Sequence, residues 1–276
     1  MTEEITVDLS ASLKKWSKIW ESTRLPENGI ALALGGGAVL GAAHIGVLKA
    51  LEEAEITIRR IAGTSIGALV ASLYAFGKNP KEIEDFVVDL DWLDITSFTL
   101  SKYGILTNED LGKKIVELLG DVDIKDAEIP LALMATDLGS GRGVVLDEGN
   151  LAHAVMASTC LPGVYIPVEI DDALLVDGGL VENVPVSILK NAGARFIVGV
   201  DLNAARRYKR PDDVIDVLAN ALDIAIDNVT RHQTSDADLI IAPELSTYSR
   251  RDTSRIPEMI EEGYKATTQL IEKLKN

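Results

Sequence analysis

Two hydrophobic periods alternate along this chain. Short apolar runs rich in β-branched residues and leucine, at Gly29–Leu34, Ile58–Ala62, Leu131–Thr136, Leu174–Val176, Phe196–Val200 and Leu239–Ala242, predict strands. Between them, apolar positions recurring every three to four residues predict helices over Gly41–Ala54, Ile66–Phe76, Asn108–Leu119, Leu151–Ala157, Val186–Asn191 and Val214–Gln233. Strands without polar alternation are buried on both faces, and their interleaving with helices implies a mostly parallel sheet covered on both sides. After the turn-like Gly139-Ser140-Gly141-Arg142-Gly143, Val144–Leu146 is placed to return as a hairpin on Leu131–Thr136.

Two ends stand apart from this pattern. Leu9, Leu13, Trp16 and Trp20 fall on one helical face while Lys14, Lys15 and Lys18 fall opposite, which predicts a basic amphipathic helix within residues 1–25. Such a helix either packs its tryptophans on the domain or lies in a lipid interface as a peripheral membrane contact. The other end, Ile256–Leu274, has the period of a surface helix, and its flank "SRRDTSR" reads as solvated charge. The expected organisation is a segment 1–25, a single α/β domain over 26–245, and a helical extension over 246–276 packed on that domain.

Composition narrows the function classes. At 276 residues with 47% hydrophobic content, the chain can bury the core of one large domain. A net charge of −16 opposes general binding of nucleic acid, itself a polyanion. Cys160 is the single cysteine, so no intramolecular disulfide forms, and three scattered histidines offer no metal-ligand spacing. The opening "MTEEITVDLS" lacks the apolar core of a secretory signal, and no apolar run is long enough to span a membrane. A cytoplasmic protein is the expectation.

The chemistry concentrates in three places. Gly63-Thr64-Ser65-Ile66-Gly67 follows a strand and opens a helix, the context that a G-x-S-x-G nucleophile elbow requires. Gly63 and Gly67 remove side chains that would collide in so sharp a turn, and Ser65 projects from it. A serine needs a base. His44, His153 and His232 have no distinctive local setting, whereas Asp177 ends an apolar strand immediately before Gly178 and Gly179, at the sheet edge where such folds build sites. A carboxyl of ordinary pKa, about 3.9, is a weak base and needs desolvation to serve; a turn aspartate satisfying backbone donors is the plainer reading. The third place is "LALGGGAVLGAAHIGVL", where Gly35, Gly36, Gly37 and Ala38 approach a helix N-terminus ending the loop at Gly41. Exposed amides of Gly36, Gly37 and Ala38 suit a developing oxyanion. A dinucleotide fingerprint from Gly35 needs glycine where Leu40 stands, and a phosphate loop needs a Gly-Lys-Ser/Thr ending that is absent.

Taken together, this loop, "GTSIGALVASLYA", "ATDLGSGRGVVLDEGNL", "AVMASTCLPGVYIPVEI" and "LLVDGGLVENVPVSIL" resemble a bacterial patatin-like phospholipase, in order, from about Gly29 to Asp201. The resemblance implies a three-layer α/β/α sandwich, patatin-like over 26–245, and a Ser-Asp dyad with Ser65 as nucleophile and Asp177 as base. It implies an oxyanion hole in the glycine loop, no metal or organic cofactor, and acyl esters of phospholipids, lysophospholipids or neutral lipids as substrates. Leu40 departs from the family's loop, which commonly carries Arg or Lys there, and Ala38 stands where many members have a fourth glycine. Rival readings are an α/β-hydrolase triad using His232 with Asp177 or Asp201, an acyltransferase pairing the serine with histidine, and a patatin-like scaffold that binds lipid or a partner without turnover. Only about two strands precede Ser65, fewer than an α/β-hydrolase elbow normally follows.

Overall fold

The computed structural model describes residues 29–90, 97–98, 106–208, 210–212 and 214–275. The predicted amphipathic segment with Leu9, Leu13, Trp16 and Trp20 lies outside the described residues. The strands are β1 (Ile30–Leu34), β2 (Ile58–Thr64), β3 (Ser97–Phe98), β4 (Leu106–Thr107), β5 (Leu131–Asp137), β6 (Arg142–Leu146), β7 (Val168–Ile170), β8 (Ala173–Asp177), β9 (Ile197–Val200) and β10 (Leu239–Ile241). The helices are α1 (Ala42–Glu53), α2 (Ile66–Ala75), α3 (Pro80–Asp89), α4 (Glu109–Leu119), α5 (Leu151–Ser158), α6 (Val186–Asn191), α7 (Val214–Gln233) and α8 (Ile256–Lys275). Eight strands form one sheet in the order β10-β9-β1-β2-β5-β8-β7, with β6 also on β5; β3 and β4 make a separate antiparallel pair.

The sequence of β1, Ile-Ala-Leu-Ala-Leu, sorts the layers through the two-residue alternation of side chains in a strand. Ile30, Leu32 and Leu34 enter the larger core with α1, α2 and α8, whereas Ala31 and Ala33 face a smaller core built with Val186, Ile188 and Leu189 of α6. Each buried Leu or Ile contributes roughly 1.5–3 kcal/mol of transfer free energy, which offsets the conformational entropy lost on ordering. The alanine face leaves room for α6 to lie close to the strand. Helices thus cover both faces of a predominantly parallel sheet, a three-layer α/β/α arrangement.

α8 buries Ile256, Met259, Leu270 and Ile271 and crosses α1 at backbone contact. A Cβ added at Gly46 would lie 1.8 Å from the Ile260 carbonyl oxygen, and one at Gly263 would lie 1.9 Å from that of Ala43. Four elements, β3, β4, β7 and α3, escaped the pattern reading. β7 is only three residues long, and α3 begins at a capping box in which Asn79 accepts the Lys81 and Glu82 amides while Glu82 accepts the Asn79 amide. Among the described residues no helix is long and apolar enough to cross a membrane.

β5 is the strand that positions the site. One of its edges pairs with β6 throughout Leu133–Asp137. The other edge is shared: β2 runs parallel to it and stops with Thr64 opposite Met134, and β8 runs antiparallel and stops with Asp177 opposite Ala135. Two chains travelling toward each other therefore end on adjacent rungs.

Candidate active site

Ser65 occupies the turn between β2 and α2 with φ 56° and ψ −126°, a left-handed backbone that a residue with a Cβ rarely adopts. The surroundings hold it there. Its N–H donates to Ser158 Oγ at 3.0 Å, Ser158 Oγ donates to the Met134 carbonyl at 2.7 Å, and its own carbonyl accepts the Ala68 amide at 2.8 Å. The flanking glycines answer to close packing. A Cβ at Gly63 would meet the Gly67 carbonyl at 2.4 Å, and one at Gly67 would meet the Leu34 carbonyl at 2.1 Å. The serine side chain is half-buried at the first turn of α2, where the helix N-terminus favours negative charge.

Asp177 is only 6% exposed. Its N–H donates to the Cys160 carbonyl at 2.8 Å and its carbonyl accepts Thr136 Oγ1 at 2.9 Å, so the backbone is held on both sides. The carboxylate accepts the Gly179 N–H at 2.8 Å and lies near enough to the Ser65 hydroxyl for that hydroxyl to favour its ionised form. Burial pushes its pKa up to about 6; the Ser65 and Gly179 hydrogen bonds and the Arg250 charge oppose that rise without cancelling it. Gly178 packs on β5, where a Cβ would fall 2.3 Å from the Met134 carbonyl oxygen. The carboxyl is thus desolvated and aimed at the serine, the condition an aspartate needs to act as a base near neutral pH.

The glycine loop abuts both residues. A Cβ at Gly36 would sit 3.1 Å from Ser65 Cβ and 2.7 Å from Asn183 Oδ1, and one at Gly41 would sit 2.1 Å from Ile66 Cγ1. The amides divide into two classes. Gly35 N–H donates to the Val200 carbonyl and Gly36 N–H to the Asn183 carbonyl, both at 3.1 Å, so the Gly36 amide is already engaged and differs from the sequence expectation in that respect. Gly37 and Ala38, entering a 3-10 turn over Ala38–Gly41, have no acceptor for their amides among the described residues. Ala38 takes φ 53° and is exposed; the backbone asked of it there is one that glycine reaches more readily. Leu40 is 5% exposed and joins the hydrophobic core.

No histidine faces Ser65 in this arrangement. His44 is fully buried on α1 with Nε2 2.8 Å from the Gly35 carbonyl, and burial lowers its pKa to about 4, so the neutral ring donates to that carbonyl. His153 and His232 are exposed. A cavity of about 490 Å³ lined by Arg60, Leu131, Ala132 and Ile188 opens near the amino-terminal end of β5, and none of Ser65, Asp177 or the glycine loop lines it. Among the described residues no three His, Cys, Asp or Glu side chains are grouped to hold a metal ion.

With this geometry in view, the comparisons are decisive for family. The sequence model of the family described as patatin-like phospholipase matches residues 32–190. The chain belongs to the patatin-like phospholipase family. This patatin-like chain is 35% identical over 182 residues to an uncharacterized NTE family protein of Mycobacterium bovis, covering 64% of itself and 49% of that relative. It is 33% identical to neuropathy target esterase sws of Drosophila melanogaster over 65% of the chain and 13% of that protein. It is also 28% identical to lysophospholipase nte1 of Aspergillus fumigatus over 92% of the chain and 19% of that protein. The patatin-like chain therefore spans about half, or less, of the length of these relatives. Among solved structures, VipD from Legionella pneumophila superposes with a TM-score of 0.63 at 16% identity, covering 90% of this chain and 67% of that one. The type III effector protein ExoU superposes at 0.51 and 14% identity, covering 91% and 54%. These two likenesses bear on the fold.

Several residues that touch the patatin-like site escaped the sequence reading. Ser158, Asn183 and Asn203 are buried and hold Ser65 or Gly36 through hydrogen bonds spanning 93 to 167 positions. Ser158 and Asn183 fell inside quoted motifs without being singled out, and Asn203 lay outside all of them. Arg250 corrects the expectation that the flank before α8 is solvated charge: its guanidinium binds Asp223 and Asn203.

Proposed function

We propose that the protein is a serine hydrolase of lipid acyl esters working through Ser65 and Asp177. The observation that carries this reading is that β2 and β8 end on adjacent residues of β5, which sets the Ser65 hydroxyl beside a buried carboxyl whose pKa burial lifts to about 6. In the proposed reaction Asp177 accepts the Ser65 proton as Oγ attacks the ester carbonyl. The amides of Gly37 and Ala38 donate to the resulting oxyanion, and Gly36, its own amide engaged, shapes the loop. Collapse of the tetrahedral intermediate expels the alcohol, which takes the proton from Asp177 and leaves an acyl-serine. Asp177 then deprotonates a water molecule that attacks the acyl carbonyl, and the proton returns to Ser65 as the fatty acid departs.

Phospholipids and lysophospholipids are the proposed substrate class, supported by the family and by relatives whose names are lysophospholipase and neuropathy target esterase. Leu161 and Val164, 46% and 37% exposed, follow Cys160, whose carbonyl holds Asp177; apolar surface so near the proposed base suits a lipid. Peripheral membrane contact through Leu9, Leu13, Trp16 and Trp20 of a cytoplasmic protein belongs to the same proposal. The decisive test is labelling of the folded protein with a fluorophosphonate, followed by turnover of p-nitrophenyl esters, lysophospholipids and diacylphospholipids. Labelling confined to Ser65 with release of fatty acid is expected; a folded protein that neither labels nor turns over refutes the hydrolase and leaves a lipid-binding scaffold. Vesicle co-sedimentation of the full chain against one starting at Leu25 tests the membrane contact, and equal partitioning refutes it.

A further inference from the structure

One side chain acts on both the glycine loop and the carboxylate, and it comes from neither. Arg250 lies between β10 and α8, outside the stretch 32–190 that matches the family. Its main-chain carbonyl accepts the Val39 N–H at 3.3 Å. Its Nη1 lies 2.8 and 3.0 Å from the two carboxylate oxygens of Asp223 on α7. Asp223 is fixed in turn by Arg206 at 2.8 Å, which also reaches Asp227 at 3.3 Å. Arg250 Nη2 donates to Asn203 Oδ1 at 3.4 Å, and Asn203 Nδ2 donates to the Gly36 carbonyl at 2.9 Å. The main chain of Arg250 therefore holds the loop at Val39, and its guanidinium holds it at Gly36 through Asn203. Gly37 and Ala38 lie between the two holds.

We propose that Arg250 is a positioning residue for the hydrolysis: it fixes the backbone on either side of Gly37 and Ala38 so that their amides meet the oxyanion, and it supplies positive charge to the site. The inference rests on the function proposed above. The role is filled from outside the loop, whose own Leu40 is buried in the hydrophobic core. A planar fork suits it, because one guanidinium spans Asp223 and Asn203 where an ammonium is a point charge. The charge also favours the ionised form of Asp177. The other groups facing that carboxyl are the Ser65 hydroxyl, the Gly179 amide and the Cys160 thiol, which burial and the Asp177 charge push up to about 12. None of these changes charge near pH 6, so removing the arginine charge moves the Asp177 pKa upward.

The test compares wild type with Arg250→Gln, Arg250→Lys and Asn203→Ala, each checked for folding by circular dichroism, measuring kcat, KM and the pH profile of kcat/KM on one p-nitrophenyl ester. Arg250→Gln is expected to lower kcat about 100-fold, comparable to losing one oxyanion donor, with KM changed less than threefold and the acid limb displaced to higher pH. Arg250→Lys should return the acid limb to its wild-type position while kcat stays depressed. Asn203→Ala breaks the relay to Gly36 without removing charge, so kcat should fall with the acid limb unmoved. Folded Arg250→Gln with kcat within threefold of wild type, or with an unmoved acid limb, overturns the proposal. If Arg250→Gln does not fold, an Arg250→Lys or Asn203→Ala protein with wild-type kcat overturns it. Failure of folded wild type to label at Ser65 would instead refute the hydrolase reading and this inference with it, so the two failures are distinguishable.

Discussion

Replacing Asp177 by asparagine should abolish turnover and make the protein more stable. The carboxyl is buried, and its pKa is lifted from the model-compound value of 3.8 to about 6. An acid whose pKa rises on folding binds its proton more tightly in the native state than in the unfolded chain. The cost of keeping it ionised is therefore absent below pH 3.8, grows between 3.8 and about 6, and is complete above 6. At about 1.4 kcal/mol per tenfold change in proton affinity, the full cost is ~3 kcal/mol. Asparagine keeps an oxygen for the Gly179 amide, now at 2.8 Å, and retains the side-chain shape without the charge. Urea unfolding at pH 7.5 should then show Asp177→Asn more stable than wild type by ~3 kcal/mol with an unchanged denaturant slope, and the gap should close toward pH 4. A variant that is equally or less stable at pH 7.5, or a gap independent of pH, refutes the argument that desolvation sets the basicity of this carboxyl.

Wild-type kcat/KM should rise about tenfold per pH unit below pH 6 and level off above it, because the base must be ionised; an acid limb at the ordinary carboxylate position near 4 contradicts the assigned environment. Ser65→Ala should lose fluorophosphonate labelling and at least about 10⁴-fold in turnover. Ser65→Gly should be equally inactive yet more stable than Ser65→Ala by ~1 kcal/mol in urea, since only glycine reaches φ 56° and ψ −126° without strain. His232→Ala should retain turnover within threefold, and a loss approaching that of Ser65→Ala would restore the histidine triad.

Much of this site is visible in the chain because its pieces are local. The strand-turn-helix at Gly63–Gly67 and the glycine run at 35–37 announce themselves through spacing, since a sharp turn and a close backbone approach exclude side chains whatever surrounds them. Asp177 is marked by its place at a strand end before two glycines. The direction of β8 is not visible: three to five apolar residues look the same running parallel or antiparallel, and the pairing with β5 decides. α3 carried a readable signal in Asn79-Pro80-Lys81-Glu82, a cap, a first-turn proline and a reciprocal glutamate, although its ten residues bury only Pro80, Ile83 and Val87. Asn183, Asn203 and Arg250 had no such signal. Their roles depend on hydrogen bonds to a loop more than 140 residues away, and an asparagine or arginine in a turn has the same local context whether or not it makes them.

The shared edge of β5 has a consequence for how the protein tolerates change. Of the 111 positions between Ser65 and Asp177, it is β5 that sets their separation, one residue of one strand from Met134 to Ala135, whatever the length of the loops on either side. The loops of that interval are thus free to lengthen or shorten, whereas a one-residue slip of β8 along β5 would turn Asp177 to the opposite face of the sheet. β5 works as a ruler: its own side chains take no part in the proposed chemistry, yet the alignment of nucleophile and base is inscribed in its register.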